Sequence, residues 1–186
     1  MDNEKAKIAK LIDENTEQIQ QLIHQKIKIW SEHVVFSSYW WLAFCLSIIP
    51  WILWIVFRKK QSSDRLMHAG LFVMITALVL DVLGDQFGFW YYRFNLIPIL
   101  PTYFPWDLTL MPVTIMFLLQ IKPKVSPFIK AVIFGLLTSY IGEPIFHWLG
   151  IYVTKNWKYT YSVPIQILIY LIAYYFTKRE RYDKLQ

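Results

Sequence analysis

Along this chain, a first segment with a regular alternation of apolar and charged positions gives way to five long apolar runs. In residues 1–33 the apolar residues Ile8, Ile12, Ile19, Leu22 and Ile29 fall on alternating three- and four-residue steps, and Asn15 and Lys26 fill the two remaining positions of that stripe. This is helical periodicity close to a heptad seam. Two readings stay open for it. One is a coiled-coil arm joining copies of the chain, with the Asn setting register; the other is an amphipathic helix lying on a bilayer.

From residue 34 onward the texture changes. Apolar runs at about 36–57, 66–92, 104–121, 127–152 and 162–176 each approach the roughly 20 residues that cross about 30 Å of hydrocarbon, the last being shortest. The pattern predicts an all-α, polytopic membrane bundle of five spans, preceded by an N-terminal amphipathic helix. The chain thus divides into 1–33 and 34–186. Pro98, Pro101 and Pro105 exclude a regular helix throughout 95–105. That stretch reads as an extended or re-entrant connector at the outer interface, under protein cover. No internal repeat or low-complexity segment is visible.

Composition agrees with a bilayer setting. Hydrophobic residues make up 56% of the chain and aromatic residues 18%, more than an ordinary soluble domain of 186 residues needs. A lone cysteine, Cys45, excludes an intrachain disulfide and is expected to be a small core hydrophobe. No signal peptide is expected, because the first apolar run starts only after about 35 polar or amphipathic residues. The net charge of +6 sets orientation rather than pointing to nucleic acid. Arg58, Lys59, Lys60 and Arg65, then Lys122 and Lys124, then Lys178, Arg179 and Arg181 fall on one side of a five-span bundle. The positive-inside rule then places the N-terminus outside and the C-terminus in the cytoplasm of a cell membrane. Arg93, Lys155 and Lys158 are the basic residues of the opposite loops.

Ionisable residues inside apolar runs are the candidate chemistry, because charge in hydrocarbon is costly and marks functional sites. At 1.5 Å per residue, Asp81 lies roughly 22 Å and Glu143 roughly 24 Å from the inner surface. Asp85 and His147 lie above them, and Asp107 lies just below the outer surface. Asp81 and Asp85 are four apart, as are Glu143 and His147, so each pair shares a helix face. These five residues are expected to meet in one acidic cavity. Their repulsion is relieved by a proton, by a cation, or by Arg93 folding back. A divalent metal held by Asp81, Asp85, Glu143 and His147 is one form of that relief, with Mg²⁺, Mn²⁺ or Ca²⁺ suiting the oxygens and Zn²⁺ or Fe²⁺ suiting the histidine. Pro112 and Pro144 free the carbonyls of Leu108 and Tyr140 nearby. Blander readings exist for each residue. Asp85 and His147 lie wet at the interface, Asp107 favours a first helical turn, and Glu143 bonds a neighbouring Tyr or Trp.

Around the acids, Trp90, Trp106 and Trp148 are candidates to face a bound carbocation. Arg93 and Lys158 are candidates to hold an anionic head group, and Gln166 reaches the same level from the last span. The aromatic stretch Lys155–Tyr161 reads either as an interfacial belt or as a lid.

Gly142-Glu143-Pro144 within a helix, the stretch Asn156-Trp157-Lys158-Tyr159-Thr160-Tyr161 and a short last span with a basic tail resemble an uncharacterised family of small multi-pass membrane proteins of endospore-forming bacteria. The resemblance covers roughly the C-terminal two-thirds and implies a membrane location with no established activity. A fainter similarity is to the small membrane lycopene cyclase domain, through Gly88, Phe89, Trp90 and Tyr91 followed by Pro105, Trp106 and Asp107. Asp107 and Leu108 stand where that domain has a pair of glutamates, so carotenoid cyclisation does not carry over. The similarity implies only a carboxylic acid presented to a lipid-like substrate.

Three functions follow as expectations. The first is a membrane enzyme acting on an isoprenoid or lipid, with Asp107 as acid and Asp81 and Glu143 as partners, or with metal-assisted phosphate-ester chemistry. The second is an ion or proton pathway built by an oligomer. The third is a non-catalytic assembly or sensor protein whose N-terminal helix binds partners, including copies of itself. Membrane lipids are partners in all three. No phosphate-binding glycine loop, zinc-protease motif or nucleophile elbow is present.

Overall fold

A computed structural model describes residues 2–178. Helices α1 (Asp2–His33), α2 (Ser38–Phe57), α3 (Ser63–Gln86), α4 (Trp106–Gln120), α5 (Pro127–Trp148) and α6 (Tyr159–Thr177) are joined by short connections and one two-stranded sheet, β1 (Trp90–Tyr92) with β2 (Tyr152–Thr154). Arg179 and Arg181 of the basic tail lie outside the described residues. Among the described residues, the stretches long and apolar enough to cross a bilayer number four: α2, α3 with its preceding turn, α5 and α6; α4 is apolar but shorter. Ile52, Val56, Ile75, Ile133 and Leu168 stand exposed on their outer faces, an arrangement that suits hydrocarbon rather than water.

Two apolar runs leave helix earlier than their hydropathy suggests. The run to Tyr92 ends its helix at Gln86, and the run to Tyr152 ends its helix at Trp148. Glycine makes both stops, Gly88 at φ 70° and Gly150 at φ 72°. Gly88 N–H bonds the Asp85 carbonyl at 2.9 Å and Phe89 N–H the Gly84 carbonyl at 2.8 Å; Gly150 and Ile151 repeat this with His147 and Phe146 at 2.9 and 3.0 Å. These are left-handed glycine caps. Beyond each cap come aromatic and β-branched residues that favour strand. The strands pair antiparallel, Trp90 opposite Thr154, Tyr91 opposite Val153 and Tyr92 opposite Tyr152.

The fold therefore contains a repeat that the amino-acid sequence conceals. Helix, glycine cap and strand recur at a spacing of 62 residues, from Gly88 to Gly150. The same shift carries Asp81 to Glu143, Asp85 to His147 and Tyr91 to Val153, and the last two face each other at the centre of the sheet. Between 81–92 and 143–154 only the glycine is identical, because the unit is specified by backbone conformation and residue class.

Helix α3 is central, with α4 and α6 against it; α5 packs along α6 and α2 along α4. Small residues Ala69, Val73 and Ala77 on α3 let its neighbours close in, and with Ile115, Phe134 and Ile169 they form an apolar core. Neither Pro112 nor Pro144 breaks its helix. Each follows a wide π turn, Trp106–Leu110 and Thr138–Gly142, in which Met111 N–H returns to the Trp106 carbonyl and Glu143 N–H to that of Thr138. The Leu108 carbonyl, which Pro112 cannot bond, is taken by Trp51 Nε1 at 3.2 Å, so this expected loose carbonyl is satisfied. Residues 95–103 form no regular element. Trp30 Nε1 donates to the Asn95 carbonyl at 2.8 Å and ties the end of α1 to this connector. Ile8, Ile12, Ile19, Leu22 and Ile29 of α1 remain exposed.

Candidate functional site

A cavity of about 300 Å³ lies under the two strands, and α3, α4 and α5 each send one carboxyl to its wall: Asp81, Asp107 and Glu143. Asp81 and Asp107 are 5% and 2% exposed. The acids differ sharply in what holds them. Asp81 Oδ1 accepts Trp90 Nε1 at 2.7 Å and the Tyr92 hydroxyl at 2.9 Å, and its Oδ2 accepts the Tyr103 amide at 3.0 Å. Three donors from β1 and the connector therefore converge on one α3 side chain.

The π turn of α4 presents Asp107 to the same place. Thr102 bonds its Oδ2, and Asp107 and Asp81, both almost fully buried, share the cavity wall. Two ionised carboxylates confined in one cavity repel each other, and a proton on the pair relieves that repulsion.

Glu143 opens the next α-helical segment after the π turn of α5. Ser162, on the same cavity wall, accepts Trp157 Nε1 at 2.9 Å through its hydroxyl. Glu143 Oε2 is buried without a partner, as are the Tyr103 hydroxyl and Gln166 Oε1. All three residues line the cavity. Burial, with the Asp81 charge adding to it, pushes the phenol of Tyr92 up, so beyond the end of α3 it is a donor across the ordinary pH range.

Aromatic rings make up half of the remaining wall. Tyr92 stacks on Tyr103 at 5.2 Å, and Phe146 meets the edges of Tyr103 and Trp106 at 5.5 and 5.7 Å. Trp90 packs against Trp157 at 4.8 Å. A Cβ on Gly84 would stand 1.9 Å from the Trp90 ring, so that glycine is what lets Trp90 fold back to Asp81. Leu80, Leu83 and Phe87 form part of the wall and are also exposed on the outer face of α3, so the cavity opens sideways.

Of the residues picked from sequence, Asp81, Asp107, Glu143, Trp90, Trp106 and Gln166 come together here. The others do not. Trp148 is 82% exposed and points away. Arg93 lines a separate groove with Trp30 and Val34 beside α1. Lys158 is exposed just before α6. Asp85 is bonded by Gln86 Nε2 at 3.3 Å and faces the charges of Lys26 and Lys155, while exposed His147 sets its ring against Tyr159. Asp81, Asp85, Glu143 and His147 are thus not gathered as a metal set, and among the described residues no group of three His, Cys, Asp or Glu is placed to hold an ion. The cause on α3 is steric: the Trp90 ring fills the space at Gly84, one turn beyond Asp81, and Asp85 is left outside it.

Tyr92, Tyr103, Thr102 and Ser162 are site residues that sequence reasoning missed, while Trp157 comes from the aromatic stretch read as a belt or a lid. Ser162 had a signal, because it stands four before Gln166 on α6 and so shares its face. No family model, curated protein or solved structure matches the chain.

Proposed function

We propose that this protein crosses the membrane five times, with the connector 95–105 completing the short α4 crossing, the N-terminus outside and the basic helix ends in the cytoplasm. In this reading the cavity is the active site of an enzyme acting on an apolar, isoprenoid- or lipid-like molecule with one hydrogen-bonding end. The observation that carries it is the set of unpartnered buried atoms, Tyr103 Oη, Glu143 Oε2 and Gln166 Oε1, in a cavity otherwise walled mainly by aromatic and aliphatic side chains. An unsatisfied buried polar group costs about 1–3 kcal/mol, which a ligand hydroxyl recovers. The substrate enters from hydrocarbon past Leu80, Leu83 and Phe87.

The chemistry is proton transfer. Asp107 gives the proton of the carboxyl pair to one carbon of a substrate double bond, whose π electrons form the new C–H bond. Ring faces of Trp90 and Trp106 steady the cation left on the neighbouring carbon. Loss of a proton from the substrate to Glu143 re-forms a double bond, giving an isomer with no net change in atoms.

The test is incubation of the purified full chain with a polyprenyl lipid in deuterated water, with mass spectrometry of the recovered lipid. Deuterium on carbon, lost in Asp107→Asn, supports the reading. Unlabelled lipid with the native chain overturns it.

The complete bonding of Asp81 favours a second reading. Here the acids pin the strands and connector to α3, and the protein is a non-catalytic sensor or assembly factor with α1 as its partner-binding, amphipathic arm. Lipid retained without deuterium exchange selects it. The apolar core below the cavity gives no support to an ion pathway through a single copy.

A further inference from the structure

We infer that the opposite end of the bundle holds a second site, one that binds a phosphate group. A pocket of about 270 Å³ lies where the α2–α3 turn, the ends of α4 and α6 and the start of α5 meet, and its wall carries Lys59, Arg65, Lys130 and Lys178. Among the described residues its wall has no Asp or Glu, and the ion pairs are Lys10–Glu14 and His33–Glu32, both on α1. Four cations around one small pocket repel one another, and an anion there relieves all of them at once.

Three further observations suit phosphate. Tyr170 is fully buried, lines the pocket and has a hydroxyl with no partner. Helix α5 starts at the pocket wall with Pro127, so the positive end of its dipole and its free first-turn amides lie there. Lys130 is held in place: its ammonium bonds the Leu118 and Ile121 carbonyls at 2.8 and 2.5 Å, which leaves one of its three donors for a ligand. The guanidinium of Arg65, the ammonium groups and the phenol together match a group with several acceptor oxygens. Basic pockets between membrane helices accept phospholipid head groups, and a soluble phosphate ester offers the same chemistry. The site is independent of the acidic cavity.

Both sources are tested on the full chain in neutral detergent. Native mass spectrometry reads retention of phosphatidylglycerol against phosphatidylcholine, and thermal shift reads binding of inorganic phosphate. The expected result is one selectively retained phosphatidylglycerol, or a stabilisation by phosphate. Retention of the lipid alone assigns a head-group site; stabilisation by phosphate without lipid selectivity assigns a soluble ester. Arg65→Gln and Lys178→Gln each weaken binding about fivefold. Tyr170→Phe, which keeps charge and shape, weakens it by roughly the same factor and carries the test alone if the charge variants unfold. Equal retention of the two lipids with no response to phosphate overturns the proposal, as does binding unchanged in Tyr170→Phe and in whichever charge variants fold.

Discussion

In the α3–β1 unit the carboxylate seven residues before the cap glycine, Asp81, receives three donors. In the α5–β2 unit the equivalent Glu143 keeps a buried oxygen with none. The strands explain the contrast. Trp90 and Tyr92 fold back onto Asp81, and the first of them does so only because Gly84 leaves room. At the matching positions of the second unit, Phe146 occupies the place of Gly84, and Thr154 is too short to do what Tyr92 does. One backbone unit used twice therefore yields one acid built into the framework and one left open toward the cavity.

Asp81→Ala breaks the framework side of this contrast most severely. It strands Trp90 Nε1, the Tyr92 hydroxyl and the Tyr103 amide, and about 3–5 kcal/mol of stability is expected to go, read from unfolding in detergent. A loss under about 1 kcal/mol would show that Asp81 is not the framework acid. Gly84→Ala forces the Trp90 ring off Asp81 without touching either acid. A cost of about 2–4 kcal/mol and a red shift of tryptophan emission are expected. Trp51→Phe uncovers the Leu108 carbonyl beside Asp107 and costs about 1–2 kcal/mol on the same unfolding measurement. Glu143→Gln sharpens the other side: stability stays within about 1 kcal/mol, while lipid retention by native mass spectrometry falls at least about tenfold. His147→Ala changes stability by no more than about 0.5 kcal/mol and leaves retention as it was.

Depth along the chain was legible in the sequence and direction around it was only partly so. Asp81, Asp107 and Glu143 are few in otherwise apolar runs, and rise per residue is enough to put them at one level. Spacing by four also puts Asp85 beside Asp81 on an ideal helix, but it carries no information about Trp90 returning from beyond the helix end to fill the intervening turn. The strands were hidden for a related reason. Trp90–Tyr92 and Tyr152 are uncharged aromatic residues of the kind that end membrane helices at the interface, so they read as continuations of the apolar runs before them. Gly88 and Gly150, each followed within four residues by aromatic and β-branched side chains, were the readable stops. The paired cap-and-strand unit could not be seen as a repeat, since a left-handed glycine and a β-rich stretch leave almost no identity to align.

The wide turn ahead of Glu143 has its own consequence. A π turn accommodates one residue more than an α turn, so α5 holds a surplus residue between its two halves. Deleting Ile141 alone therefore returns regular winding while the two halves keep their faces, whereas the same deletion inside a regular α-helical stretch rotates the parts on either side by about 100°. The wide turn thus absorbs a change in chain length that elsewhere in the bundle would re-aim a whole helix.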